Sequence, residues 1–211
     1  MKLKKIASLM LAGVMAVSML AGCSGNGNGG NGGEGEGQVN TDTLSVEAIV
    51  AEMEKDTTDK VTFSADASLQ NALNKVLNEM GSNISNEVKV ATRVAEIADI
   101  DYAASGAFDY SQLMKKDADP QTVIYAGVIK ATGDHSEKWA NAQFADMADQ
   151  LVSSVVEYEN SGIPTSVDDE YYKYAYEAKV ATAKFENSDG YTGYVAVMTL
   201  TATSSAAKVE L

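Results

Sequence analysis

Apolar residues recur along this chain at two periods, and the switch from one to the other marks out its elements. Val46, Ile49, Val50 and Met53 fall at helical spacing. They predict a short helix over Thr43–Lys55 with Asp42 or Thr43 as its cap. Lys60–Ala65, KVTFSA, reads as a short strand. A clear amphipathic helix follows at about Asp66–Met80, where Leu69, Ala72, Leu73, Val76, Leu77 and Met80 form one stripe and Gly81 sits at the C-cap position. Asn86–Asp101 alternates, with Val88, Val90, Thr92 and Val94 on one side and Lys89 and Arg93 on the other. That pattern predicts a half-exposed strand.

Ala103–Asp119 is irregular or holds one short helix near Tyr110–Lys116. Thr122–Ala131, TVIYAGVIKA, is apolar on both faces and predicts a central strand. A helix competes there, because Asp119-Pro120 resembles an N-cap with proline at the first position. The strongest element runs from Asp134 to about Asn160. Asp134-x-x-Glu137 has capping-box spacing, and Phe144, Ala148, Leu151, Val155 and Tyr158 line one face with Trp139, Met147 and Val152 beside them. Gly162 and Pro164 end it. Tyr171–Phe185 alternates again, putting Tyr172, Tyr174, Tyr176, Ala178 and Val180 on one face. The turn sequence Glu186–Gly190 and a second strand, Tyr191–Thr203, complete a hairpin.

This order predicts an α+β fold, a mainly antiparallel sheet with helices packed on one face. Two near-identical stretches, EVKVAT (Glu87–Thr92) and EAKVAT (Glu177–Thr182), each follow a helix and raise the idea of an old duplication. The folded part spans residues 41–211 as one domain, with a sub-boundary near 105–120.

The N-terminus carries an address. Lys2, Lys4 and Lys5 precede an uncharged apolar run, Ile6–Leu20, of signal-peptide length and too short to span a bilayer. The chain's single cysteine follows in Leu20-Ala21-Gly22-Cys23. This segment resembles the lipobox of bacterial lipoproteins. The resemblance implies that residues 1–22 are removed and that Cys23 carries a diacylglycerol. Two acyl chains hold a protein on a membrane without further insertion. Residues 23–40 then read as the lipidated cysteine and a Gly/Asn-rich flexible tether. Ser24–Gln38, SGNGNGGNGGEGEGQ, has almost nothing to bury and spans about 20 Å on average. The second half, read as strand, long helix, strand, turn, strand, loosely resembles uncharacterised lipoprotein domains of Gram-positive bacteria. That likeness brings no activity with it.

Charge and cysteine count narrow the chemistry. The net charge is −14 over 211 residues, and loss of the three leading lysines takes it to about −17 (13 basic against 30 acidic). Such a surface repels nucleic acid. With Cys23 acylated no thiol remains for disulfides or thiolate catalysis. A single histidine, His135, cannot build a His–His metal site. The sequence implies no cofactor and no metal.

Candidate catalytic groups are thin. Asp134-His135-Ser136 contains the residue types of a hydrolase triad, but neighbours in sequence point apart, and no Gly-x-Ser-x-Gly elbow exists. Glycoside hydrolysis needs two carboxylates facing each other across a cleft. Asp99 with Asp101, Asp117 with Asp119, and Asp168-Asp169-Glu170 are the pairs on offer. Asp99-x-Asp101 also begins like a calcium loop without its glycine or distal glutamate.

The tyrosines offer a binding surface instead. Tyr172, Tyr174 and Tyr176, with Tyr191 and Tyr194 across the turn, predict an aromatic face able to stack on a sugar or a partner's apolar patch. The same pattern also suits the edge of a core. The functional expectation is a non-enzymatic, lipid-anchored module on the extracytoplasmic face of the cell membrane. Its partners would be the membrane, through Cys23, and a protein, glycan or peptide at the cell surface. A carboxylate-dependent surface hydrolase and a small substrate-binding lipoprotein of a transporter are the alternatives.

Overall fold

The computed structural model describes residues 43–84, 86–115, 117–160, 166–167 and 170–208. The expected signal segment, Cys23 and the expected tether lie outside them, as do the expected helix stop at Gly162 and Pro164 and the acidic Asp168-Asp169. The described residues fall in one compact unit, Gln38–Leu211.

Two short helices open it: α1 (Val46–Val50) and α2 (Lys55–Lys60). The cap of α1 is Ser45, not Asp42 or Thr43: its hydroxyl accepts from the Ala48 N–H at 3.2 Å. Strand β1 (Val61–Ala65) leads into α3 (Ala67–Met80), capped by the Asp66 carboxylate, which accepts from Leu69 N–H at 2.8 Å. Gly81 ends α3 with φ of 56°, a value that favours glycine.

The stretch expected to be a strand at 86–101 is a helix, α4 (Glu87–Ala98). Its alternating valines also satisfy the helical period, because Val90, Ala91, Val94 and Ala95 make one buried stripe. The Asn86 side chain caps it on Lys89 N–H at 2.9 Å, and Asp99 closes it in the left-handed region with φ of 53°. The alternation placed Val88 inside; in the helix it is 73% exposed.

A short helix, α5 (Tyr110–Leu113), precedes β2 (Gln121–Ile129). Phe108, Tyr110 and Leu113 join the common core, so no boundary divides the domain at 105–120. The long helix α6 (Glu137–Asn160) starts three residues after the expected cap. Ser136 performs that job, accepting from Trp139 N–H at 3.3 Å, while Glu137 pairs with Lys184 at 2.7 Å instead of reaching back. Two residues, Ser166–Val167, form β3, and the hairpin β4 (Glu170–Glu186) with β5 (Thr192–Lys208) completes the chain.

The sheet runs β1-β4-β5-β2, with β3 beside the start of β4. Three of its pairings are antiparallel, and β1 lies parallel to β4 from Val61↔Tyr176 to Ala65↔Val180. The fold is α+β with a mixed, mainly antiparallel sheet. Helices cover both faces rather than one. Ile124, Ala181, Ala183, Val195 and Val197 pack on α3 and α4, whereas their neighbours Val123, Val180, Met198 and Leu200 face α1 and α6. Alternate residues of a strand point to opposite faces, so both are buried. That double coverage explains β2: it is apolar on both sides although it is an edge strand, not a central one.

The EVKVAT and EAKVAT stretches settle in different structures, helix α4 and strand β4. The duplication idea fails on that difference.

Candidate functional site

Because β2 ends the sheet, one row of its backbone groups faces away from β5. A single bond identifies the row: the Thr122 carbonyl accepts from the N–H of Ala103, in the loop outside the sheet, at 2.8 Å. Backbone direction alternates along an antiparallel ladder, so the N–H and C=O groups of Ile124, Ala126 and Val128 also point outward. Those of Val123, Tyr125, Gly127 and Ile129 face β5. Among the described residues, nothing bonds to the outward groups of Ile124, Ala126 and Val128.

An apolar groove lies on each side of this free edge. The first, about 350 Å³, sits between α1, α6 and the sheet, and its walls include Val50, Met53, Phe144, Met147 and Leu151. Gly127 lets α6 come close here: a Cβ on it would lie 2.8 Å from the Met147 sulfur and 3.2 Å from the Phe144 ring. The second, about 390 Å³, lies between α4 and the 102–106 loop and is lined by smaller side chains, among them Ala91, Thr92, Ala104 and Ser105. Glu87, Tyr125 and Ala126 line both, so the grooves meet at the edge.

Two of the exposed large apolar side chains stand beside these grooves. Val88 on α4 borders the second, and Met147, 41% exposed on α6, borders the first. The Tyr125 hydroxyl donates to the Gly106 carbonyl, and burial pushes its pKa above the ordinary tyrosine value. Glu87 lies in the first turn of α4, where the helix dipole favours a carboxylate. It has no ion-pair partner among the described residues.

The tyrosine row does not form a solvent-facing platform. Tyr172, Tyr176 and Tyr194 are buried, Tyr174 is half-buried, and only Tyr191 is exposed. Tyr176 shares a hydrogen bond with Tyr110, hydroxyl to hydroxyl at 3.0 Å, and the Tyr110 ring meets Tyr174 edge-on at 5.2 Å. Tyr194 pairs with Lys184, eight residues along β4 from Tyr176. It donates to the His135 carbonyl at 2.9 Å, far from the other three. Helices cover this face, so the rings are core.

Nor do Asp134, His135 and Ser136 converge. The exposed His135 ring stacks on Trp139 with centroids 4.1 Å apart, and Ser136 caps α6. Asp99, Asp101, Asp117 and Asp119 are exposed, and none of them lines either groove. Glu170 starts β4. Among the described residues no cluster of His, Cys, Asp or Glu could hold a metal ion, and no helix is long and apolar enough to cross a membrane.

Sequence reasoning passed over Met53, Glu87, Val88, Tyr125, Gly127, Phe144 and Met147 as site residues. One signal was available: a glycine inside an otherwise β-branched strand marks a close approach. Against known protein families, curated proteins and solved structures alike, the chain finds no match.

Proposed function

We propose that this chain is a non-enzymatic binding module held on the outer face of the cell membrane by a diacylglycerol on Cys23. Its recognition surface is the pair of apolar grooves along β2, in place of the tyrosine row. The observation that carries the reading is the concentration there of exposed apolar side chains, Val88 and Met147, on a domain that is otherwise strongly acidic. Monomeric soluble domains rarely leave a contiguous apolar patch bare unless it binds something. The lipobox and the tether supply the anchor and its slack.

Two measurements test this. Intact mass of native material gives the anchor: a chain starting at Cys23 and carrying a diacylglycerol supports it, and an unmodified chain starting at Met1 refutes it. A neutral, environment-sensitive dye reports the groove. Its fluorescence should rise on the native chain and fall back in Met147→Glu, with melting temperature unchanged. Equal dye binding by both chains refutes the groove as the binding surface.

A further inference from the structure

The edge of β2 has more than apolar walls. It offers hydrogen-bonding groups in a fixed register, and this determines the kind of ligand that can satisfy them. We propose that the site takes an extended polypeptide segment that adds to the sheet as a strand beside β2, with large apolar side chains at alternate positions and a basic residue opposite Glu87. This inference rests on the reading of the grooves as the binding surface and adds the ligand class.

Three features support it. First, the outward N–H and C=O groups of Ile124, Ala126 and Val128 alternate donor and acceptor along the strand, with no partner among the described residues. Only an extended backbone matches that repeat. On the other side of the sheet β1 covers β4 from Tyr176 to Val180, and just past β1 the Asp66 N–H and the Gln70 amide bond to Val180 and Thr182; the outer side of the five-residue β1 is the sheet's second edge. Edges left open in this way are templates for pairing. At the Thr122 end, Ala103 already occupies the first place of the missing strand.

Second, the grooves lie one on each side of that edge. An added strand sends alternate side chains to opposite faces. One set would enter the groove walled by Met53, Phe144, Met147 and Leu151, which suits valine, leucine or phenylalanine. The other would enter the groove lined by Ala91, Thr92, Ala104 and Ser105, which suits small or hydroxylated residues. The methionines can repack around different apolar side chains.

Third, charge selects the occupant. Glu87 borders both grooves without an ion-pair partner among the described residues, on a chain of net charge −14. A second copy pairing edge to edge would bring two such acidic surfaces together. A basic segment gains where a second copy loses.

The test uses the purified full chain in phosphatidylcholine nanodiscs, with empty nanodiscs as the blank. The probe is a fluorescein-labelled heptapeptide alternating valine and threonine between terminal lysines, read by anisotropy. N-methylation of alternate peptide amides should weaken binding about tenfold or more, the loss expected for two or three ladder hydrogen bonds. Ala126→Pro removes an outward N–H and leaves the bonds to β5 in place, so it should abolish binding without lowering the melting temperature. Replacing the lysines by glutamates should also abolish it.

Equal binding of the methylated peptide would overturn strand addition while leaving the groove as a binding surface, with Met147→Glu still reducing the dye signal. Binding by neither peptide, with Ala126→Pro indistinguishable from wild type, overturns the inference outright. A dimer in the native chain that Ala126→Pro dissociates would show that the occupant is a second copy.

Discussion

The side-chain amide of Gln70 completes the sheet in place of a strand. Its Nε2 donates to the Thr182 carbonyl at 2.9 Å, and its Oε1 accepts from the Thr182 N–H at 3.2 Å. The pair lies just past the end of β1, where β4 would otherwise expose a buried peptide unit; Thr182 is 1% exposed. The Thr182 hydroxyl also donates to the Leu44 carbonyl at 2.7 Å, tying the first described residues to the sheet.

Gln70→Ala leaves that N–H and C=O buried without partners. Each such group costs about 1–3 kcal/mol. Urea denaturation should therefore show a loss of at least about 2 kcal/mol, large for a half-exposed glutamine. A change within about 0.5 kcal/mol, the usual result at a surface site, would mean that water or a neighbour satisfies Thr182.

The tyrosines separate into core and surface, and single substitutions should show it. Tyr172→Ser and Tyr176→Ser each remove a buried ring, at a cost of about 3–5 kcal/mol by analogy with large-to-small core changes. Tyr191→Ser should cost much less than either, about 1 kcal/mol or under, since Tyr191 is 39% exposed where the other two are buried. Thermal melts of the three variants check this. Mild effects at all three positions would restore the exposed aromatic face.

Acid should act partly through Asp66. Burial raises its pKa, but this is outweighed by bonds accepted from the Leu69 N–H, by Lys179 at 3.4 Å and by the Ser68 N–H, so the net shift is downward from 3.8. A carboxyl with a lowered folded-state pKa adds stability above its unfolded value and loses it as pH falls through the folded one. The stability gap between wild type and Asp66→Asn should thus be constant near neutrality. It should shrink as pH drops below about 4 and vanish in stronger acid. Chemical denaturation across that range measures it, and a gap independent of pH would show that Asp66 acts only as a neutral cap.

Much of this fold could be read from residues alone, and the failures have physical causes. The helix at 67–80 and the first hairpin strand, expected at 171–185 and found at 170–186, each carry one period with a cap or turn to end them. The second, expected at 191–203 and found at 192–208, was read from the turn before it, since it is apolar on both faces. Residues 86–101 satisfy two periods at once, and packing against α3 decides between them. The same six-residue pattern became a strand at 177–182, where β5 and β1 flank it. Apolar residues on both faces of 121–129 correctly indicate burial on both faces. They say nothing of lateral neighbours, which are a long-range property, and so an edge strand was read as central. The tyrosine row was legible as one face; that Tyr110 of α5 packs against it is a long-range contact the local pattern does not carry. The candidate site was least legible because much of it is backbone: unpaired N–H and C=O groups leave no trace in residue type. Gly127 and the valine left outside by α4 are its only sequence marks.

Residue-resolved hydrogen exchange along β2 is the most direct measurement of all. With the free chain, the amides of Val123, Tyr125, Gly127 and Ile129 should be protected by β5, while those of Ile124, Ala126 and Val128 exchange quickly. Uniform protection from 123 to 129 would mean that the edge is already occupied, and the binding surface described above would not exist.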